Sequence, residues 1–288
     1  MRTLFAIFLV LALGTAGARA EPIPIVAAEN FYGDLAMQIG GPDVTVTSIL
    51  TNPDQDPHLF EASASTARAI AGARVVILNG ADYDPWMQKL LSASRAPGRE
   101  TIEAAKLLHK KAGDNPHLWY DPATMPAVAK ALAATLARLD PDHRAGYEQR
   151  LVAFLASLEP LQAKIAAMRK QYVGTPVTAT EPVFGYMAAA LGLKMRNERF
   201  QLAVQNDTEP TPSQIAAFQK DLKTHAVKVL LYNSQTEEEL TKKMRELAQQ
   251  SGIPVVGVSE TAPPATKYQD WMVKQLNALD MALGGKGS

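Results

Sequence analysis

Four side chains able to ligate a metal stand just beyond the ends of predicted strands: His58, His117, Glu181 and Glu260. His58 follows Asp56-Pro57, and His117 follows Asn115-Pro116, so each imidazole comes after a proline and a small polar residue that restrict the local backbone. Glu181 directly follows the run Val177 to Thr180, and Glu260 follows Pro254 to Val258 by way of Ser259. Two imidazoles and two carboxylates on separate loops form a donor set for one divalent transition-metal ion. Each has a plainer reading as well. A loop histidine is often only solvated, Glu181 could favour the positive end of a helix starting at Pro182, and Glu260 could be an exposed loop acid. The remaining histidines read as structural: His109 beside Lys110 and Lys111, His143 in a first helical turn, and His225 at a helix end.

Open parallel sheets bind ligands outside the carboxyl ends of their strands, so the elements must be alternating strands and helices. The chain has that rhythm twice. Strands are predicted at Ile23 to Ala28, Val44 to Leu50, Val75 to Asn79 and Thr101 to Ala104, then at Val177 to Thr180, Lys194 to Asn197, Val229 to Tyr232 and Pro254 to Val258. Helices fall between them. The segments Ala28 to Ala36 and Thr180 to Ala190 resemble one another, as do Ala73 to Gly80 and Val227 to Ser234, which favours two similar lobes over a single sheet.

Between the halves, Leu151, Phe154, Leu155, Leu158, Leu161, Ile165 and Met168 form one apolar stripe at steps of three and four. Asp140 is placed to cap this helix, Pro141 to begin it, Pro160 to kink it and Gly174 to end it. Some thirty residues at about 1.5 Å each make a rod of roughly 45 Å, long enough to link two lobes. The expected division is a leader at 1–20, an N-terminal α/β lobe at 21–139, a connecting helix at 140–173 and a C-terminal α/β lobe at 174–288. Each lobe should hold a small, mainly parallel sheet flanked by helices. Gly284 to Ser288 is expected to be an unstructured tail.

Arg2, the apolar run Leu4 to Leu13 and the small-x-small site Ala18-Arg19-Ala20 read as a cleaved signal peptide, with Glu21 as the mature start. The chain carries 29 basic and 29 acidic residues, which is no signature of nucleic-acid or membrane-surface binding. It has no cysteine, so disulfides, thiolate metal sites and lipid attachment through a mature N-terminal cysteine are excluded. The expectation is an unanchored, monomeric periplasmic protein.

Asp56-Pro57-His58, Asn115-Pro116-His117-Leu118-Trp119-Tyr120-Asp121-Pro122 and Thr180-Glu181-Pro182-Val183-Phe184-Gly185-Tyr186 resemble motifs of the solute-binding receptors of zinc and manganese ABC importers, the cluster A-I family. The resemblance spans essentially the whole chain after the leader. It implies two lobes on a rigid helix, a metal buried between them, and a cognate ABC permease as partner. It also implies His58, His117 and Glu181 as ligands, with Glu260 where the family usually has aspartate. That departure leaves Asn233, Gln235 or a water as alternatives for the fourth position. Glutamate rather than histidine at 181, and a short loop before His117, point to Mn²⁺ first, Zn²⁺ next and Fe²⁺ after. No enzymatic activity is expected. The competing readings are a metal-dependent hydrolase or oxygenase and a metal-stabilised adhesion module. Against the first, the chain lacks a His-Glu-x-x-His helix, and four protein ligands leave no obvious place for substrate.

Overall fold

A computed structural model describes residues 21–236 and 238–284, so the predicted leader and the last four residues lie outside it. In the first half, four short strands form one parallel sheet: β1 (Ile23–Glu29), β2 (Val44–Leu50), β3 (Val75–Leu78) and β4 (Glu100–Glu103), in the order β2-β1-β3-β4. In the second, β5 (Pro176–Ala179), β6 (Lys194–Arg196), β7 (Leu230–Asn233) and β8 (Val255–Val258) pair in parallel as β6-β5-β7-β8. The order is the same once the strand numbers are shifted by four, matching the sequence echo between the halves. β3 is buried on both faces, and its continuous run of Val75, Val76, Ile77 and Leu78 suits a central parallel strand.

Local chemistry delimits the intervening helices. Ser63 and Thr66 make a reciprocal capping box at the start of Ala64–Gly72. Thr211 and Gln214 do the same for Pro212–Lys223, with Pro212 in the first turn, where its missing amide hydrogen is not needed. Helix Glu198–Gln205 was not anticipated. It begins after Asn197 in a left-handed conformation (φ 60°), and Phe200 and Val204 bury its inner side.

The connecting rod is bent. A 3₁₀ turn at Pro141–His143 leads into Arg144–Ser157, and after Leu158 a second helix runs over Glu159–Tyr172. The break precedes Pro160, leaving proline in the first turn of the second helix, where it costs no hydrogen bond. Asp140 does not cap the backbone amides as expected. Its Oδ2 accepts from the His143 ring nitrogen at 2.7 Å and from the Tyr147 hydroxyl at 2.8 Å. The anticipated stripe is buried at Phe154, Leu158, Leu161, Ile165 and Met168, and Leu151 and Leu155 pack at its margin.

Polar contacts fasten the rod at both ends. Arg150 donates to Ile39 O and Asp43 Oδ2 in the first half, at 2.7 and 2.8 Å. Asp280 accepts from Lys164 Nζ at 2.5 Å and Tyr172 Oη at 2.6 Å in the second. The last helix, Tyr268–Ala282, reaches back to the N-terminal half: the Tyr268 amide donates to Asp34 Oδ2 at 2.8 Å, and the Tyr268 hydroxyl to Trp119 O at 2.7 Å. One apolar core therefore continues from Ile25 and Phe31 through Trp119 and Phe154 to Val258 and Leu279.

Candidate metal centre

All four anticipated residues follow the carboxyl ends of strands. After β2 the chain runs through a polar loop to Asp56, whose Oδ1 accepts from the His58 amide at 2.8 Å as Pro57 opens a short 3₁₀ turn. The second imidazole is held in the same way. Asn115 Oδ1 accepts from the His117 amide at 3.0 Å and lies 2.8 Å from His117 Nδ1. An amide oxygen can only accept, so Nδ1 carries the hydrogen and Nε2 presents a lone pair. Asn115 also donates to Pro182 O across the cleft at 2.8 Å. Gly185 makes room for that bond, since a Cβ there would stand 2.9 Å from Asn115 Nδ2.

The two histidines meet at one carboxylate oxygen. His58 Nε2 and His117 Nε2 each lie 3.5 Å from Glu260 Oε2, and the three donor atoms all fall within 4.8 Å of one another. Two atoms each about 2.1 Å from a common ion at the tetrahedral angle would be about 3.4 Å apart, so the two histidine–glutamate distances match those between ligands of one ion. His117 and Glu260 are buried, whereas the His58 side chain is 30% exposed. His117 Nε2 and Glu260 Oε2 have no hydrogen-bond partner, an expensive arrangement unless something else satisfies them. This His/His/Glu cluster is suited to a divalent metal ion.

Glu181 stands outside that triplet but is joined to it through Asn233. Asn233 Nδ2 donates to Glu181 Oε2 at 3.1 Å and to Glu260 Oε1 at 2.6 Å. Glu181 Oε1 is also buried without a partner. The amides suggested as substitutes for the fourth ligand are otherwise engaged. Asn233 Oδ1 accepts from the Gln235 amide at 3.1 Å, and Gln235 Oε1 accepts from the amides of Glu260 and Thr261 at 2.6 and 2.9 Å.

Charge distribution follows from this packing. Burial alone would raise the Glu260 pKa, but the two neighbouring imidazoles, His117 and His58, outweigh it and hold the carboxyl far below its usual range. Burial would lower the His58 pKa, and Glu260 reverses this to about 9. Burial first, and then repulsion from Glu260, lift Glu181 to about 8. Tyr83 and Trp119 pack edge-on to the imidazoles, with Tyr83 centroids 5.7 Å from His58 and 6.1 Å from His117. Beside His58 and Glu181 a cavity of about 390 Å³, also lined by Asp56, Gln235 and Glu238, gives access from solvent.

Sequence reasoning passed over Glu29. It occupies in the first half the place of Glu181 in the second, at the carboxyl end of the first strand, as Asn79 matches Asn233. Both its carboxylate oxygens are buried and unpartnered, and burial followed by the charge of Asp84 raises its pKa well above the ordinary value. A carboxyl that binds its proton more tightly when folded weakens the fold as pH rises above its unfolded pKa of about 4.3. Glu29→Gln should therefore melt higher than the parent at neutral pH, with the gap closing as the pH falls toward 4. Thermal melts of the metal-free proteins would check this, and a lower melting temperature at pH 7 would show that Glu29 is ionised and paired.

Comparison with known proteins gives a consistent picture. Residues 25–282 match the family described as ZnuA, zinc-uptake complex component A, periplasmic. The iron ABC transporter substrate-binding lipoprotein MtsA of Streptococcus pyogenes serotype M1 is 24% identical over 307 aligned residues, covering 96% of this chain and 95% of its own. Among solved structures, the periplasmic zinc-binding protein TroA from Treponema pallidum superposes with a TM-score of 0.77 at 18% identity, over 93% of this chain and all of its own (100%). FpvC from Pseudomonas aeruginosa, solved with Mn²⁺, superposes with a TM-score of 0.75 at 22% identity, over 92% of this chain and 99% of its own.

Proposed function

Because the chain belongs to the family of periplasmic zinc-uptake component A proteins, which are transport components and not enzymes, we propose that it captures a divalent transition-metal ion between its lobes and delivers it to an ABC permease. The ligands are His58, His117, Glu181 and Glu260. The observation that carries this reading is the convergence of two imidazole nitrogens on one buried carboxylate oxygen at 3.5 Å each. Glu181, across Asn233, completes the set with its free Oε1. Residues 1–20 serve as an export leader that is removed, leaving a soluble, monomeric receptor.

The fastened rod and the shared core resist a wide hinge opening, so loading and release proceed through the loops that carry His58 and Glu181 beside the cavity. Elemental analysis of protein purified without added metal, followed by competition among Mn²⁺, Zn²⁺ and Fe²⁺, tests the assignment. One bound dication per chain is expected, and no measurable affinity for any of the three would overturn it. Asn115 orients His117 without being a ligand, so Asn115→Ala should weaken metal binding by about 10–100-fold while leaving the protein folded. Competition titration with a chromogenic chelator would measure that loss.

A further inference from the structure

Asn233 divides the two carboxylates of the site in the same way. It donates to one oxygen of each, Glu181 Oε2 at 3.1 Å and Glu260 Oε1 at 2.6 Å, and leaves the other oxygen of each, Glu181 Oε1 and Glu260 Oε2, unpartnered. The orientation of the amide is fixed. Its Oδ1 accepts from the Gln235 backbone amide at 3.1 Å, so Nδ2 must face the acids, with Thr236 Oγ1 as a third neighbour at 3.0 Å. Asn233 is itself buried at the end of β7, between the strands that deliver Glu181 and Glu260, and its own amide is held by Thr180 Oγ1 at 3.3 Å. It has little freedom to release either acid.

We propose that Asn233 is a specificity-determining positioning residue that holds both carboxylates to one-oxygen ligation, giving a site of four single donors that prefers Zn²⁺ to Mn²⁺. This rests on the four-ligand reading above. A carboxylate chelates by turning both oxygens to the same ion, and here the bond from Asn233 ties one oxygen of each acid toward the amide, which favours ligation through the other oxygen alone. Two nitrogens and two single oxygens satisfy the tetrahedral demand of zinc. Manganese prefers about six oxygen-rich positions, and bidentate carboxylates would supply the extra donors. The preference of carboxylates for Mn²⁺ considers only how many acids are present, whereas Asn233 determines how many of their oxygens reach the ion.

Cobalt substitution tests the coordination number without any variant. Four-coordinate Co²⁺ gives intense visible d–d bands and five- or six-coordinate Co²⁺ weak ones. The parent protein should show the intense spectrum. A weak spectrum from stoichiometrically bound Co²⁺ would overturn the proposal even if Asn233 variants fail to fold. In Asn233→Ala and in the similarly sized Asn233→Leu, both carboxylates gain a free oxygen. The Zn²⁺-to-Mn²⁺ affinity ratio, measured by competition, should fall by about 10-fold or more, and the cobalt bands should weaken. Folded variants that keep the parental ratio and spectrum would also overturn it. A parent that binds none of these ions would instead sink the receptor reading itself, and this inference with it.

Discussion

Alanine at position 117 should abolish tight metal binding. Structural zinc sites with four protein ligands hold their ion with an apparent free energy of roughly 10–16 kcal/mol. One ligand in four then corresponds to about 3 kcal/mol, or at least about 100-fold in affinity. The true loss should exceed that, because His117 is fully buried and its removal leaves a cavity beside the buried Glu260. His58→Ala should lose less, since His58 is partly exposed and water can enter the vacated position from the adjoining cavity. Calorimetric or competition titration of both variants would check the ranking. Two variants binding like the parent would remove the imidazoles from the site.

The second large effect is on acidity. In the metal-free protein His58 titrates at about 9 and Glu181 at about 8, so both carry a proton at neutral pH. A dication bound by both must expel two protons, and affinity should fall about 100-fold as pH drops from about 7 to 6. Toward pH 9 the dependence should flatten. A tenfold change over the same unit would mean that only one of the two is displaced, and a flat profile would exclude both as ligands. The sign is opposite for the metal-free fold. The raised His58 pKa contributes stability that is complete below about 6.5 and is lost as pH rises through about 9. Acid should thus loosen the metal while leaving the His58–Glu260 pair intact.

Much of the architecture was legible because its signals are local. Val75 to Leu78 reads as a buried strand from four consecutive apolar residues, and the parallel order follows from alternation with helices. The rod was visible in the spacing of Phe154, Leu158, Leu161, Ile165 and Met168, although its break fell at Leu158 rather than at the proline itself. Asp140 was misjudged because a capping residue and a partner for His143 and Tyr147 have the same sequence signature. Strand-end logic singled out His58, His117 and Glu260, which the fold brings within 4.8 Å of one another. What sequence could not convey was the division of labour among acids and amides. Glu181 departs from that triplet by a distance no motif encodes. Asn233 acts through two hydrogen bonds to carboxylates far away in the chain, and Glu29 is conspicuous only once its burial is known.

Phe31, Trp119, Phe154 and Trp271 belong to the largest apolar cluster, which both halves share, and each half keeps only a smaller cluster of its own, around Val76 in the first and Phe218 in the second. Cutting the chain before Tyr268 would withdraw Trp271 from its stack on Phe31 in helix Asn30–Gly40 of the N-terminal half, as well as the whole last helix from helix Glu159–Tyr172 and β8. Heating the intact protein should accordingly produce one endotherm with matching calorimetric and van't Hoff enthalpies, and neither half expressed separately should melt cooperatively.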